Sequence, residues 1–166
     1  MAALVCAAFC TATGASAHAS PHARANPGPG ELAGTHLTIG PIAAATFVED
    51  SWFAATGAEL SLVRHAGSDA PLILGIAAGG LGHAVRGGGR LWLEAELGLE
   101  TPLAFGIGLG AGATVELDRI TPPRFGVQAT LFVVAGVVPY LRFGHIEETG
   151  GFIESGIMLK LPIRLR

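Results

Sequence analysis

Alternating side chains in one short segment constrain the fold of this chain more than any other feature. Residues 91–100 read LWLEAELGLE, so that four leucines and an alanine occupy every second position and Glu94 and Glu96 stand between them. In a β-strand, successive side chains lie on opposite faces, whereas a helix would scatter both sets around its circumference. The segment therefore predicts a strand with one apolar face and one face that carries acids.

Similar segments fill most of the chain after residue 35. They are separated by short turns rich in Gly, Pro, Asp and Ser, such as RGGGR and ETGG, which leave no room for a crossover helix. Successive strands should then be antiparallel neighbours in an up-and-down meander. The eight predicted strands are His36–Val48, Trp52–Arg64, Leu72–Val85, Leu91–Glu100, Leu103–Asp118, Phe125–Ala135, Val137–Glu147 and Phe152–Leu165.

The residues opposite the large apolar side chains indicate which face is the interior. Only 14% of the chain is charged, compared with about 25% in soluble domains. A soluble sheet should show many Lys, Glu, Thr and Ser side chains to water, but here the second face consists largely of Gly and Ala with a few charges. Small residues fit a narrow lumen, so we expect the leucines to face lipid and the small and charged residues to face inward.

A closed barrel also satisfies the backbone in lipid. Hydrocarbon tolerates only helices or closed barrels, because an open sheet edge leaves polar groups unpaired, and tilted strands of about 9–11 residues can cross a bilayer. The sequence therefore predicts an all-β fold, an eight-stranded antiparallel up-and-down transmembrane β-barrel over residues 36–166. Two alternatives stay open at this point: a helical membrane protein with short spans at Ala70–Val85 and Thr101–Leu117, and a soluble secreted β-barrel or sandwich.

The first 35 residues have a different character. Residues 1–19 combine an apolar run with small residues that offer A-x-A cleavage sites after Ala17 or Ala19, which predicts a signal peptide. Residues 20–35 are rich in Pro, Gly and Ala, which predicts a flexible lead-in. Both cysteines, Cys6 and Cys10, precede the cleavage sites, so the mature chain should contain no thiols.

Strand alternation assigns several charged side chains to the lumen. An eight-stranded barrel is just wide enough for side chains to fill, and a charge buried there without a partner is costly. We therefore expect the charges to pair across the interior and to plug it. The predicted lumen network consists of Glu59, Glu94, Glu96, Glu116, Arg142, Glu154, Lys160 and Arg164.

The aromatic residues near predicted strand ends are a further expectation of a membrane barrel, in which aromatic girdles lie at the two interfaces. The residues assigned to such a girdle are Phe47, Trp52, Phe53, Phe125 and Phe152.

From His36 to its end, the chain resembles the small eight-stranded outer-membrane β-barrel proteins of Gram-negative bacteria. Its last predicted strand also fits the β-signal of that family, a polar residue, a glycine and two hydrophobic residues, although it ends in Leu165–Arg166 rather than in an aromatic residue. The resemblance implies location in the cell outer membrane, contact with outer-membrane lipid and recognition by the barrel-assembly machinery. The matching β-signal residues are Glu154, Gly156, Leu159 and Leu161.

Motifs for catalysis or nucleic-acid binding are missing from the sequence. It contains no G-x-S-x-G, H-E-x-x-H, P-loop or Rossmann fingerprint, and its few basic residues are dispersed, so we expect neither enzyme activity nor a nucleic-acid partner. RGGGR at residues 86–90 is interpreted as a hairpin loop. No cofactor or metal is expected, because the histidines of the predicted barrel lack metal-ligand spacing; they are His36, His65, His83 and His145.

Short turns argue against a receptor or adhesin, since such barrels usually bind partners through long external loops. The leading functional hypothesis is a structural or envelope-integrity barrel with a plugged lumen. The alternatives are a narrow channel or carrier for a small ligand that the sequence does not identify, and an outer-membrane lipid-modifying enzyme.

Overall fold

Antiparallel strands account for nearly all of the chain that the computed structural model describes, which comprises residues 34–66, 71–84, 87–100, 106–118, 122–134 and 137–165. The predicted signal peptide and all of the lead-in before residue 34 lie outside these ranges. The strands are β1 (Gly34–Val48), β2 (Ser51–His65), β3 (Leu72–His83), β4 (Gly89–Glu100), β5 (Gly106–Leu117), β6 (Arg124–Val134), β7 (Val137–Ile146), β8 (Gly150–Leu159) and β9 (Leu161–Arg164). Within the described ranges, no helix is long and apolar enough to span a membrane.

The sheet closes on itself through β1. Each strand from β2 to β8 pairs with its chain neighbours, and β1 pairs with β2 on one side and with β8 and β9 on the other. β8 and β9 keep one register against β1, with Ile42 opposite Met158 and Ile39 opposite Leu161. They are therefore two segments of one wall strand, and the predicted closed eight-stranded antiparallel barrel is confirmed.

The interruption between β8 and β9 was not predicted, since the sequence indicated one strand over Phe152–Leu165. Pro41 lies in β1 between the stretches that pair with β8 and with β9. Proline has no N–H to donate to the ladder. Pairing is therefore lost at Lys160, and the strand divides there.

The turn after β1 is a two-residue hairpin loop. Glu49 and Asp50 both have positive φ, at 48° and 59°, and Val48 pairs with Ser51. Positive φ at both central positions matches the right-handed twist of the flanking strands. Within the described ranges, the other predicted strand bounds differ from the observed ones by at most two residues, and the predicted strand residues Val85, 103–105 and Ala135 lie outside these ranges. RGGGR is only partly a loop, because β4 begins at Gly89 and so includes Arg90.

Side-chain burial alternates along every long strand. The outward face carries exposed large apolar residues all around the barrel, among them Leu60, Ile76, Leu93 and Ile157, while the inward face holds most of the charged residues of the strands. A water-soluble barrel has the opposite distribution. An apolar exterior around a charged interior is the arrangement of a membrane barrel.

Four inward-facing aromatic rings each pack on a glycine of a neighbouring strand. The cross-strand pairs are Gly79 with Trp92, Gly108 with Phe132, Gly144 with Phe152, and Gly156 with Tyr140. A Cβ atom at any of these glycines would overlap the ring that it faces. The inward glycines thus make room for large rings inside a narrow barrel.

The aromatic girdle is smaller than the sequence suggested. Trp52 and Phe125 are exposed, and Phe47 packs on Trp52 with ring centroids 5.3 Å apart. Phe152, however, is buried with Val48 and Ile146, and Phe53 packs against this cluster. Phe53 and Phe152 therefore belong to the interior, because alternation turns their side chains away from lipid although both lie near strand ends.

Candidate functional site in the barrel interior

The main concentration of polar chemistry in the described structure lies in the lumen. It is called the lumen network here and consists of charged side chains from β2, β4, β5, β6, β7 and β8, with Lys160 at the break that follows β8. Most members are buried, and acids alternate with cations along it. Its charged members are Glu59, Arg90, Glu94, Glu96, Glu116, Arg124, Arg142, Glu154 and Lys160.

Arg142 of β7 lies at the centre of the network and is fully buried. Its guanidinium nitrogens lie 3.0 Å from Glu154 Oε1, 3.5 Å from Glu59 Oε2 and 3.5 Å from Glu94 Oε1. Its plane lies over the indole ring of Trp92, with Cζ 4.1 Å from the ring centroid. Arg142 is therefore held both by ion pairs and by flat stacking on the ring, for which an ammonium has no planar face.

Glu154 of β8 accepts hydrogen bonds from four side chains. Arg142 and Arg90 contact one oxygen each. The Tyr140 hydroxyl donates to Oε1 at 2.8 Å, and the Thr46 hydroxyl donates to Oε2 at 3.1 Å. Several donors on one carboxylate compensate for the loss of water around a buried negative charge.

Lys160 connects two further acids. Its Nζ donates to Glu96 Oε1 at 2.8 Å and lies 2.9 Å from Glu59 Oε1. Its side chain is 13% exposed, so Lys160 is partly open to solvent. Because β4 and β8 face each other across an eight-stranded wall, the Lys160–Glu96 and Arg90–Glu154 pairs cross the lumen.

Arg142 is the cationic partner of Glu94. The other contacts of Glu94 come from neutral donors: Gln128 Nε2 and Thr130 Oγ1 each lie 3.0 Å from Glu94 Oε2. Thr130 in turn accepts a hydrogen bond from Arg142 Nε at 3.0 Å. Glu94, Thr130 and Arg142 thus form a closed triangle of contacts.

Glu116 lies toward the barrel end that contains the β1–β2 and β7–β8 turns. Arg124 Nη2 lies 3.2 Å from Glu116 Oε2, and the Thr149 hydroxyl donates to the same oxygen at 2.8 Å. Thr149 belongs to the β7–β8 turn, so this contact anchors a turn to the lumen wall.

The structure brings together seven of the eight residues assigned to the lumen from the sequence, and Arg164 is the exception. All of β9 is exposed. β7 begins at Val137, opposite Leu159, so that within the described ranges β9 pairs with β1 alone. Arg164 therefore lies at the rim and not in the lumen network.

Sequence analysis missed Arg90 and Arg124. Arg90 was assigned to a loop, yet its guanidinium contacts Glu154 and lies 3.8 Å from the ring centroid of Phe152. Arg90 has the same parity as Trp92 and Glu94, so extending the predicted strand by one residue would have placed it inward. Arg124 lies one residue before the predicted strand and could have been found in the same way.

The histidines do not form a metal site in the described ranges. His36 and His65 lie edge to face across β1 and β2, with ring centroids 5.3 Å apart. His83 faces inward near Phe53. No group of three or more His, Cys, Asp or Glu side chains in these ranges is arranged to hold a metal ion.

Replacing Lys160 with Met should lower the stability of the barrel. The change leaves Glu96 buried without its ammonium partner, and removing one member of a buried pair is strongly destabilising. Because Lys160 is partly exposed, we expect a loss of about 2 kcal/mol, below the range for fully buried pairs. Urea unfolding in detergent micelles measures this loss. The double variant Lys160→Met, Glu96→Gln should recover part of it, and an unchanged midpoint in the single variant would contradict a stabilising role.

Comparison with known proteins defines the fold of this chain. No protein-family model and no curated protein matches it. Among solved structures, Neisserial surface protein A (NspA) matches with a TM-score of 0.57 at 9% identity, covering 80% of this chain and 98% of that one. A de novo designed transmembrane β-barrel has a TM-score of 0.42 at 13% identity, covering 75% and 95%. Ail, the attachment invasion locus protein of Yersinia pestis, has a TM-score of 0.40 at 8% identity, covering 78% and 97%.

The likeness to NspA concerns the fold. Together with the apolar exterior and the charged lumen, it shows an eight-stranded membrane β-barrel of the outer-membrane type.

Proposed function

We propose that this membrane barrel has a structural role in the outer membrane and that the lumen network closes its interior. One observation carries the proposal: side chains from opposite walls meet at hydrogen-bonding distance in the middle of the lumen. Arg142 and Glu154, which lie at the centre of these contacts, are fully buried. Such an arrangement fills the space that a solute would need.

Energetics support a closed resting state. To open a continuous water path, the Arg90–Glu154 and Lys160–Glu96 pairs would have to separate together with the stacked Arg142. Breaking one buried pair costs about 3–5 kcal/mol when the remaining charge is left without a partner. Several such contacts along one lumen would keep the open state rare.

Conductance measurements distinguish a closed barrel from a narrow channel. The purified full chain, reconstituted in planar bilayers, should show no stepwise current above the background of the bilayer. An open porin in the same lipid serves as the positive control. Reproducible single-channel steps from the folded protein would favour the channel alternative over the structural one.

The proposed role is non-catalytic. The β1–β2 and β7–β8 turns are short, and the carboxylates of the lumen network all contact donors. Such carboxylates are poorly placed for work as free acids or bases. Analysis of outer-membrane lipids after overexpression should show unchanged acylation, whereas a new lipid species would support the lipid-modifying alternative.

A role in envelope integrity predicts that loss of the protein weakens the outer membrane, even though the protein transports no solute. A strain that lacks the gene should become more sensitive to detergent, and the wild-type gene should restore resistance. Full restoration by a variant whose barrel does not fold would contradict this role.

We further propose that Glu154, Gly156, Leu159 and Leu161 act as the β-signal for the assembly machinery. They lie on β8 and β9, the wall strand that closes the barrel against β1. Glu154 and Gly156 face inward, whereas Leu159 and Leu161 are exposed on the outward face. The two leucines are therefore accessible to an assembly factor, which would bind them before the barrel closes.

The double variant Leu159→Ala, Leu161→Ala should impair assembly in cells more than stability in vitro. Both side chains are exposed, so their truncation leaves the interior packing intact. We expect less folded protein in outer-membrane fractions, measured as the band whose mobility changes on boiling, but normal refolding of the purified chain in detergent. The matched control is Ile153→Ala, Ile157→Ala on the same outward face. Equal losses in both variants would contradict a specific signal.

A further inference from the structure

A groove crosses the lipid-facing surface of strands β4 to β7 near the end of the barrel where β1 begins. It has a cavity volume of about 530 Å³. Two rows of outward side chains form its walls, and inward-facing Gly108, Phe132 and Tyr140 form the floor between them. We call it the β4–β7 groove; one wall is Leu97, Leu109, Leu131 and Leu141, and the other is Leu99, Ile107, Val133 and Pro139.

The chemistry of the groove is that of hydrocarbon. Its walls consist of Leu, Ile, Val and Pro side chains. Pro139 has no N–H, and the β6–β7 pairs end at Phe132–Tyr140, just before it. The Tyr140 hydroxyl donates to Glu154 on the lumen side, so it is not presented to the groove. Apart from that hydroxyl, no side chain lining the groove carries a polar group.

Its position determines what fills it. The wall residues belong to the exposed apolar belt, which faces lipid in a membrane barrel. Leaving the groove empty would forfeit dispersion contacts along both walls. Water is also a poor occupant, because buried water needs several polar partners.

The direction of the groove suits an extended chain. Strands of such barrels tilt by about 35–45° from the barrel axis. A groove that runs across the strands is therefore also inclined to the barrel axis. An acyl chain could lie along it from the membrane interface toward the bilayer interior. It spans three interstrand spacings of about 4.8 Å, or roughly 14 Å.

We propose that the β4–β7 groove binds one acyl chain of a glycerophospholipid from the leaflet at the end where β1 begins and β9 ends. The proposal thereby places this end of the barrel at the periplasmic leaflet, which consists of glycerophospholipid. The inference requires the barrel to lie in a membrane but does not depend on the proposed structural role, so either can fail without the other.

Photochemical labelling of the full chain in proteoliposomes tests the site. The probe is phosphatidylethanolamine with a diazirine in its acyl chain, and labelled positions are mapped by mass spectrometry. We expect several-fold more label on the two groove walls than on an equally exposed apolar patch of β2 and β3. Equal labelling of both surfaces would overturn the proposal; the reference patch is Leu60, Leu62, Leu74 and Ile76.

A groove-filling variant provides the matched test. Val133→Trp places an indole ring in the groove and should lower labelling at Leu97 and Leu131 several-fold. Leu62→Trp makes the same kind of change outside the groove and should leave that labelling unchanged. The mobility change on boiling verifies that both variants fold. Should Val133→Trp not fold, Val133→Phe replaces it.

Competition with unlabelled lipids identifies which lipid supplies the acyl chain. Unlabelled phosphatidylethanolamine should reduce the groove label, whereas lipid A should not. Efficient competition by lipid A alone would overturn the assignment to glycerophospholipid. Unchanged groove labelling in a groove-filling variant that folds would overturn the site itself.

Discussion

Replacing Arg142 with Met should destabilise the barrel by about 3–5 kcal/mol, the range for removing one partner from a buried ionic group. Arg142 is fully buried and contacts Glu59, Glu94 and Glu154. After the change, Glu154 still has Arg90 and Glu59 still has Lys160, but Glu94 keeps only neutral donors. Urea or guanidinium unfolding in detergent micelles, followed by circular dichroism, measures the loss.

Three further variants separate charge from packing at this position. Arg142→Lys keeps the charge but loses the planar stack on Trp92. Its free energy of unfolding should therefore lie between those of Arg142→Met and the wild type. Arg142→Met combined with Glu94→Gln should recover part of the loss, because the most dependent acid is then neutral. Arg164→Met removes a positive charge whose side chain is exposed at the rim, where an ion pair contributes little, so the stability should change little. Equal stability of Arg142→Met and the wild type would show that the network does not stabilise the fold.

Replacing Gly108 with Val should cost about 3 kcal/mol, at the upper end of typical overpacking penalties. A Cβ at Gly108 would overlap the ring of Phe132 and would lie 3.0 Å from the Leu97 carbonyl oxygen. The ring cannot easily retreat, since Phe132 faces a filled lumen and lies 5.4 Å from Lys160 Nζ. The effect runs against the ordinary preference of strands for Val over Gly.

Controls for this prediction come from the same class of substitution. Gly82→Ala lies on the outward face of β3, where the nearest atom to a new Cβ is 3.8 Å away. That change should be neutral or stabilise by about 0.5–1 kcal/mol, since it removes the entropic cost of a strand glycine. Gly108→Ala should be partly rescued by Phe132→Leu. Equal tolerance of Gly82→Ala and Gly108→Val would show that glycine is not needed beneath the ring.

Alternation made most of the fold predictable from the sequence. The period of two assigns each residue of a strand to a face, so the buried state of Glu94, Glu96 and Glu154 follows once the strands are placed. The strands themselves follow from the turns between them. The alternation signal failed where composition imitates a loop, as at GGGR, whose last two residues begin β4. It also failed where the cause lies on another strand, as with Pro41 and the break at Lys160.

The partners within the lumen network could not be predicted in the same way. Alternation gives the face of a side chain but not its height in the barrel, which depends on the register of all eight wall strands. Lys160 therefore could not be matched with Glu96 rather than with Glu116 from the sequence. The aromatic–glycine pairs could not be predicted for the same reason, because it is the β5–β6 register that places Gly108 opposite Phe132.

The two tryptophans of this chain occupy contrasting environments, and this gives the protein two intrinsic fluorescent probes. Trp52 is 62% exposed on the apolar exterior, whereas Trp92 is 4% exposed and donates its indole N–H to Glu59 beneath the Arg142 guanidinium. Brominated lipids quench by contact, so they should reach Trp52 but not Trp92. Quenching would then report insertion into the bilayer, while the unquenched emission would report closure of the interior. A single refolding experiment without an attached dye could therefore time the two events separately.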